Sequence, residues 1–104
     1  MENKFIDILP SDVEQRLKRG EKLQIIDVRE PNEVAQGKIP SARNIRLSEI
    51  PERLSEIDRN REAIIVCRGG ARSASACEYL MSQGYTNIKN FLGGMMAWNG
   101  EVER

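Results

Sequence analysis

The chain has 104 residues, with sixteen Lys and Arg balanced by sixteen Asp and Glu, so its formal charge is zero. That length supports one hydrophobic core over residues 1–104 and leaves no room for a second domain. The neutral balance gives no overall field to recruit nucleic acid or an anionic membrane. The start, Met1-Glu2-Asn3-Lys4-Phe5, carries charge early, and no apolar run reaches signal-peptide or transmembrane length. The expectation is a soluble cytoplasmic protein without membrane or nucleic-acid partners, its oligomeric state left open.

In chain order, Phe5-Ile6-Asp7-Ile8 alternates as a short strand, and Ser11-Asp12 opens a helix that runs through Val13 and Leu17 to Gly20. Leu23 to Val28 is an apolar run ending in charge, the form of a buried strand. Pro31 to Gly37 fits a short helix stopped by glycine, and Ile39 to Ile45 reads as extended. Leu47 to Ile57 is amphipathic, with Pro51 obscuring where a helix would begin. Arg59-Asn60-Arg61-Glu62 reads as a solvated loop. Ala63-Ile64-Ile65-Val66-Cys67 is a fully apolar strand, followed by the tight Arg68-Gly69-Gly70-Ala71 loop and a helix from Arg72 to Met81. Asn87 to Leu92 gives a last strand, and Gly93-Gly94 a turn before Met95 to Trp98. Strands alternating with helices predict an α/β fold, a central, mostly parallel sheet flanked by helices on both faces.

The chain contains no histidine, which excludes a Ser-His-Asp triad, a Cys-His dyad and histidine-based metal sites. Two cysteines are too few for a zinc cluster, so no metal is expected, and both are expected as free thiols. Cys77 sits inside a helix beside Leu80 and Met81 and reads as core. Met95, Met96 and Trp98 read as packing residues, with a wall over the site as the alternative.

Cys67 is different, because it stands at the C-terminal end of a strand, just before a helix, where open α/β sheets bind ligands. Helix N-termini and nearby cations stabilise a thiolate, the nucleophilic form of cysteine. Gly69 and Gly70 let the loop curl and turn its N–H groups inward as an anion cradle, completed by Ala71. Arg68 and Arg72 add positive charge, and Ser73 is placed either to cap the helix or to donate a hydrogen bond to the sulfur. A thiolate ringed by N–H groups suits attack on an anionic sulfur donor and stabilisation of the persulfide left behind. Sulfite, the leaving group from thiosulfate, departs as a stable anion and needs no acid.

Cys67-Arg68-Gly69-Gly70-Ala71-Arg72-Ser73 resembles the active-site loop of the rhodanese family. Asp27-Val28-Arg29-Glu30-Pro31-Asn32-Glu33 and Gly37-Lys38-Ile39-Pro40-Ser41-Ala42-Arg43-Asn44 are similar to the family's Asp-x-Arg…Glu…Gly-His-Ile-Pro-Gly-Ala-x-Asn signature, and Gly84-Tyr85-Thr86-Asn87-Ile88 with Leu92-Gly93-Gly94 to Trp98 to its closing segment. The resemblance implies a rhodanese-like fold, a sulfurtransferase with a persulfide-forming Cys67, no cofactor beyond that covalent intermediate, and Asp27 with Arg29 as a supporting polar frame. The partners it implies are a small anionic donor such as thiosulfate and a thiophilic acceptor, either cyanide, a thiol or a sulfur-carrier protein. Lys38 stands where the signature has histidine, Ser41 where it has glycine and Val34 at a common aromatic position. Alternatives are a binding or sulfur-relay module on the same fold, and an enzyme like the phosphatases and arsenate reductases. The latter place five residues between Cys and Arg; here Cys67 and Arg72 are separated by four.

Overall fold

The computed structural model describes residues 5–104; residues 1–4, part of the start expected to lack a leader, lie outside the described residues. Five strands, β1 (Ile6–Ile8), β2 (Gln24–Asp27), β3 (Arg43–Asn44), β4 (Ala63–Val66) and β5 (Ile88–Phe91), form one sheet in the order β1-β5-β4-β2-β3. Every pairing is parallel. Three helices complete the frame: α1 (Pro10–Lys18), α2 (Pro31–Val34) and α3 (Ala71–Ser82).

The register explains the two-sided core. Ile26 pairs with Ile65 and Ile25 with Ile64. Because side chains alternate along a strand, Ile26, Ile65 and Ile88 meet α3 residues Ala76, Cys77 and Leu80 on one face. Ile25, Ile64, Val66 and Phe91 meet Val13 and Leu17 of α1 on the other. Ile64 and Ile65 are both fully buried, each worth roughly 2 kcal/mol of apolar transfer. This uninterrupted apolar character identifies β4 as the central strand.

Several boundaries differ from the sequence reading, for local reasons. Helix α1 begins at Pro10, with Leu9 as its cap, rather than at Ser11-Asp12, since proline's fixed φ suits a first helical turn. The amphipathic Leu47 to Ile57 stretch is not one helix. It forms two 3-10 turns, Leu47–Glu49 and Leu54–Glu56, on either side of Pro51. Within the segment expected to be extended from Ile39, Pro40 and Ser41 form a turn, and only Arg43–Asn44 joins the sheet. The solvated loop is more tied down than its composition suggests: Glu62 receives Arg16 at 2.7 Å and Lys89 at 3.1 Å, and Arg59 lies over the Tyr85 ring.

The sheet order sets the site. After β2 the chain continues outward to β3, whereas after β4 it turns the opposite way to β5, so the loops following these adjacent strands diverge and open a crevice at their C-terminal ends. Cys67 follows β4, and Arg29, Glu30 and α2 follow β2.

Candidate functional site

The loop from Cys67 to Gly70 is shaped from both ends. Gly70 precedes α3 with φ 111°, a left-handed angle closed to most residues, and this aims its N–H at Cys67 Sγ, 2.9 Å away. Gly94 holds the loop from above in a 3-10 turn, Gly94–Ala97, from which Met95 N–H donates to Cys67 O at 2.8 Å and Met96 N–H to Arg68 O at 3.0 Å. A Cβ on Gly94 would lie 2.3 Å from Arg68 O, so only glycine permits this approach.

Cys67 is 1 % exposed at the floor of this ring. Its thiol donates to Ser73 Oγ at 3.3 Å, and Ser73 in turn reaches Gly70 O at 3.1 Å and Asn90 Oδ1 at 2.6 Å. Burial is the largest single influence on Cys67 and pushes its thiol up. The Ser73 hydroxyl and the backbone N–H groups of Ser73, Gly70 and Arg72 outweigh it together, and the thiol ends below its ordinary value. N–H donors and a helix N-terminus stabilise a thiolate in this way without a base, and the thiolate is the form in which cysteine is nucleophilic.

Of the residues assigned to this loop from the sequence, Gly70, Arg72 and Ser73 turn N–H groups toward Cys67, Arg68, Gly69 and Ala71 complete the loop along the chain, and the structure decides between the two tasks open to Ser73 and changes that of Arg72. Ser73 does not cap α3; Gly70 occupies the cap position and Ser73 is fully buried against the sulfur. Arg72 is not a free cation. Its guanidinium forms a two-pronged pair with Glu33, at 2.7 and 2.9 Å, which holds the Glu33 carboxyl down at about 2. Arg68 has no carboxylate partner among the described residues, so it carries the positive charge of the loop.

Asp27 and Arg29 form the buried frame. Arg29 Nη2 meets Asp27 Oδ2 at 2.8 Å, and the same guanidinium donates to the carbonyls of Gly37 at 2.9 Å and Glu33 at 3.3 Å. Arg29 therefore fixes the backbone of α2, Glu33 on α2 fixes Arg72, and Arg72 fixes the start of α3. Beside the loop lies a cleft of about 490 Å³ whose lining includes Arg29, Glu33, Arg68, Met95, Met96 and Arg104. Met95 and Met96 thus wall this cleft, Met95 also packing against the core, whereas Trp98 does not line it: it packs on Phe91, ring centroids 5.9 Å apart, and lines a separate hollow against α1.

Cys77 is fully buried, unbonded to Cys67, and burial pushes its thiol up to about 12. It is an inert core residue. The sequence reading missed the tasks of Glu33 and Asn90. Glu33 stood inside the signature segment, but nothing in its spacing indicates a pair formed across 39 positions. Asn90 was legible only as a polar residue inside an apolar strand.

The two departures near Ile39 also resolve. Ser41 adopts φ 66°, the left-handed region that explains a glycine in the signature, and its N–H is held by Glu103 Oε1 at 2.9 Å. Lys38 Nζ reaches the same carboxylate at 2.7 Å.

No helix among the described residues is long and apolar enough to cross a membrane, and no cluster of His, Cys, Asp and Glu among them is suited to a metal.

Comparison with known proteins agrees with this geometry. A sulfurtransferase of Allochromatium vinosum is 46 % identical over 92 residues, covering 88 % of this chain and 86 % of its own. A thiosulfate sulfurtransferase of Pseudomonas aeruginosa is 30 % identical over 98 residues, covering 94 % and 87 %. The crystal structure of a rhodanese-like domain protein from Staphylococcus aureus superposes with a TM-score of 0.88 at 38 % identity, covering 95 % of this chain and 97 % of its own. The model of the rhodanese-like domain matches residues 9–101. With its parallel sheet and its cysteine loop at the β2/β4 crevice, the chain belongs to the rhodanese-like domain family.

Proposed function

We propose that this protein is a sulfurtransferase that carries a sulfane sulfur as a persulfide on Cys67. The observation that carries the reading is the buried Cys67 sulfur at the centre of the Gly70, Arg72 and Ser73 N–H groups, its thiol held below the ordinary range. These donors favour the thiolate before the reaction and the anionic persulfide after it.

In the first half-reaction the Cys67 thiolate attacks the outer sulfur of thiosulfate. A bond forms from Sγ to that sulfur, the sulfur–sulfur bond of thiosulfate breaks, and its electron pair leaves with sulfite. In the second, an acceptor such as cyanide, a thiol or a sulfur-carrier protein attacks the outer sulfur and the Cys67 thiolate departs. Neither step needs a metal, a cofactor or a histidine, and each half leaves the thiolate or persulfide in the same N–H ring. Arg68, the loop cation without a carboxylate partner among the described residues, supports a small anionic donor. The thiosulfate sulfurtransferase among the relatives supports that donor class.

An oxyanion-clamping phosphatase would need Arg72 free to grip its substrate, and Glu33 holds that guanidinium with both oxygens. The loop is also one residue short of that chemistry.

Intact mass of the reduced protein, before and after thiosulfate, tests the proposal. A gain of one sulfur atom that is lost in Cys67→Ser and discharged by cyanide as thiocyanate is the expected result. No gain with thiosulfate or with a persulfide donor overturns it.

A further inference from the structure

Cys67 is joined to the surface by a chain of polar side chains that the reaction above does not use. Asp7 on β1 and Asn90 on β5 are direct partners in the parallel register, so their side chains share the α3 face of the sheet. Asn90 Nδ2 donates to Asp7 Oδ1 at 3.1 Å, Asn90 Oδ1 accepts from Ser73 Oγ at 2.6 Å, and Ser73 Oγ lies 3.3 Å from Cys67 Sγ.

The direction of each bond follows from its neighbour. An ionised carboxylate only accepts, so Asp7 must face the Asn90 amide nitrogen, and this turns the Asn90 carbonyl toward Ser73. A carbonyl also only accepts, and of the two that face the Ser73 hydroxyl, Asn90 Oδ1 at 2.6 Å and Gly70 O at 3.1 Å, the nearer takes its single proton. With that proton engaged, Ser73 meets Cys67 through a lone pair and accepts from the thiol. To donate to a thiolate or persulfide, the hydroxyl must swing away and leave the carbonyl of Asn90, a residue only 6 % exposed, without its donor.

We propose that Asn90, oriented by Asp7, is a positioning residue that sets the direction of the Ser73–Cys67 hydrogen bond and, in the resting site, competes with the sulfur for the Ser73 proton. The chain opposes the loop N–H groups, which favour the anion. Ser73 rotates when Cys67 loses its proton to solvent, so the site passes between a thiol in which Ser73 accepts and an anion to which it donates. The other charged or titratable groups near the sulfur are Arg68 in the loop, Arg72 on α3 with its partner Glu33, and the buried Cys77 on α3. None of them bonds to Ser73 or Asn90.

The inference deepens the persulfide reading, but its test needs no sulfur donor. The rate of Cys67 alkylation by iodoacetamide is measured against pH, with the labelled residue located by mass spectrometry, in the wild type, Asp7→Ala, Asn90→Ala, Ser73→Ala and the two double variants containing Ser73→Ala. Asp7→Ala removes the acceptor that orients Asn90, lies at an exposed position and keeps the test independent of any folding defect in Asn90→Ala. Asp7→Ala and Asn90→Ala should each move the profile to lower pH by about one unit, the scale of a hydrogen bond to a charged sulfur. In the Ser73→Ala background neither should move it further. An unshifted profile in Asp7→Ala overturns the proposal, as does a shift of equal size without Ser73, which would reflect bare charge or packing. Failure of the persulfide reading would be seen separately, as absent mass gain with the alkylation shifts intact.

Discussion

Glu33 and Arg72 lie 39 positions apart in sequence and meet through two hydrogen bonds, 2.7 and 2.9 Å, at the mouth of the Cys67 loop. The pair joins the loop after β2 to the helix after β4, the two elements that diverge to open the crevice. It also neutralises one of the two loop arginines, and this decides how the loop's electrostatics should be tested.

The Glu33 carboxyl is lowered from 4.5 to about 2, first by its hydrogen bonds from Arg72, against burial. A lowered carboxyl contributes stability above its unfolded value and loses it as pH falls through the folded value. The pair is partly exposed, so its contribution should be about 1 kcal/mol. Glu33→Gln should therefore lower the thermal midpoint at pH 7, and the gap from wild type should close between about pH 4.5 and pH 2. A gap independent of pH in thermal melts would reject the pair as its source.

Arg68 and Arg72 should separate in kinetics. Arg68→Ala removes the loop charge that has no carboxylate partner among the described residues and should raise the KM for thiosulfate about fivefold, the effect of losing roughly 1 kcal/mol of partly screened attraction. Use of an uncharged persulfide donor should change less. Equal losses with both donors would remove Arg68 from donor recognition.

The two cysteines should label in sequence. Burial is the strongest single influence on both thiols, but the donors around Cys67 bring it below the ordinary range, whereas Cys77 has none and is pushed to about 12. Timed iodoacetamide labelling of native protein at neutral pH should modify Cys67 alone, and denaturant should expose Cys77. Native labelling of Cys77 at a comparable rate would contradict its place in the core.

Two backbone positions with positive φ should respond in opposite directions. Gly94→Ala puts a methyl group 2.3 Å from Arg68 O and should displace the turn, costing about 2 kcal/mol or more and most of the persulfide formation. Ser41→Gly relieves a left-handed angle and should stabilise by about 1 kcal/mol, raising the thermal midpoint by about 4 °C or more. Thermal melts of both variants check the signs.

The alternation of strands and helices, the central apolar β4 and the cysteine loop were all legible along the chain, because they depend on neighbouring residues: hydrophobic period, glycine freedom and the order of elements. The sequence also carried the family signature, down to the Ser41 position whose left-handed backbone asks for glycine. The two short turns around Pro51 were illegible because an amphipathic pattern fits a helix and 3-10 turns alike. Folding in three dimensions was needed to show that Arg72 is neutralised by Glu33, that Ser73 answers to Asn90 and Asp7, and that Met95 and Met96 wall the cleft while Trp98 packs against the core. Those roles depend on side chains brought together by strand order and register, and a pair formed across 39 positions leaves no local periodicity to read.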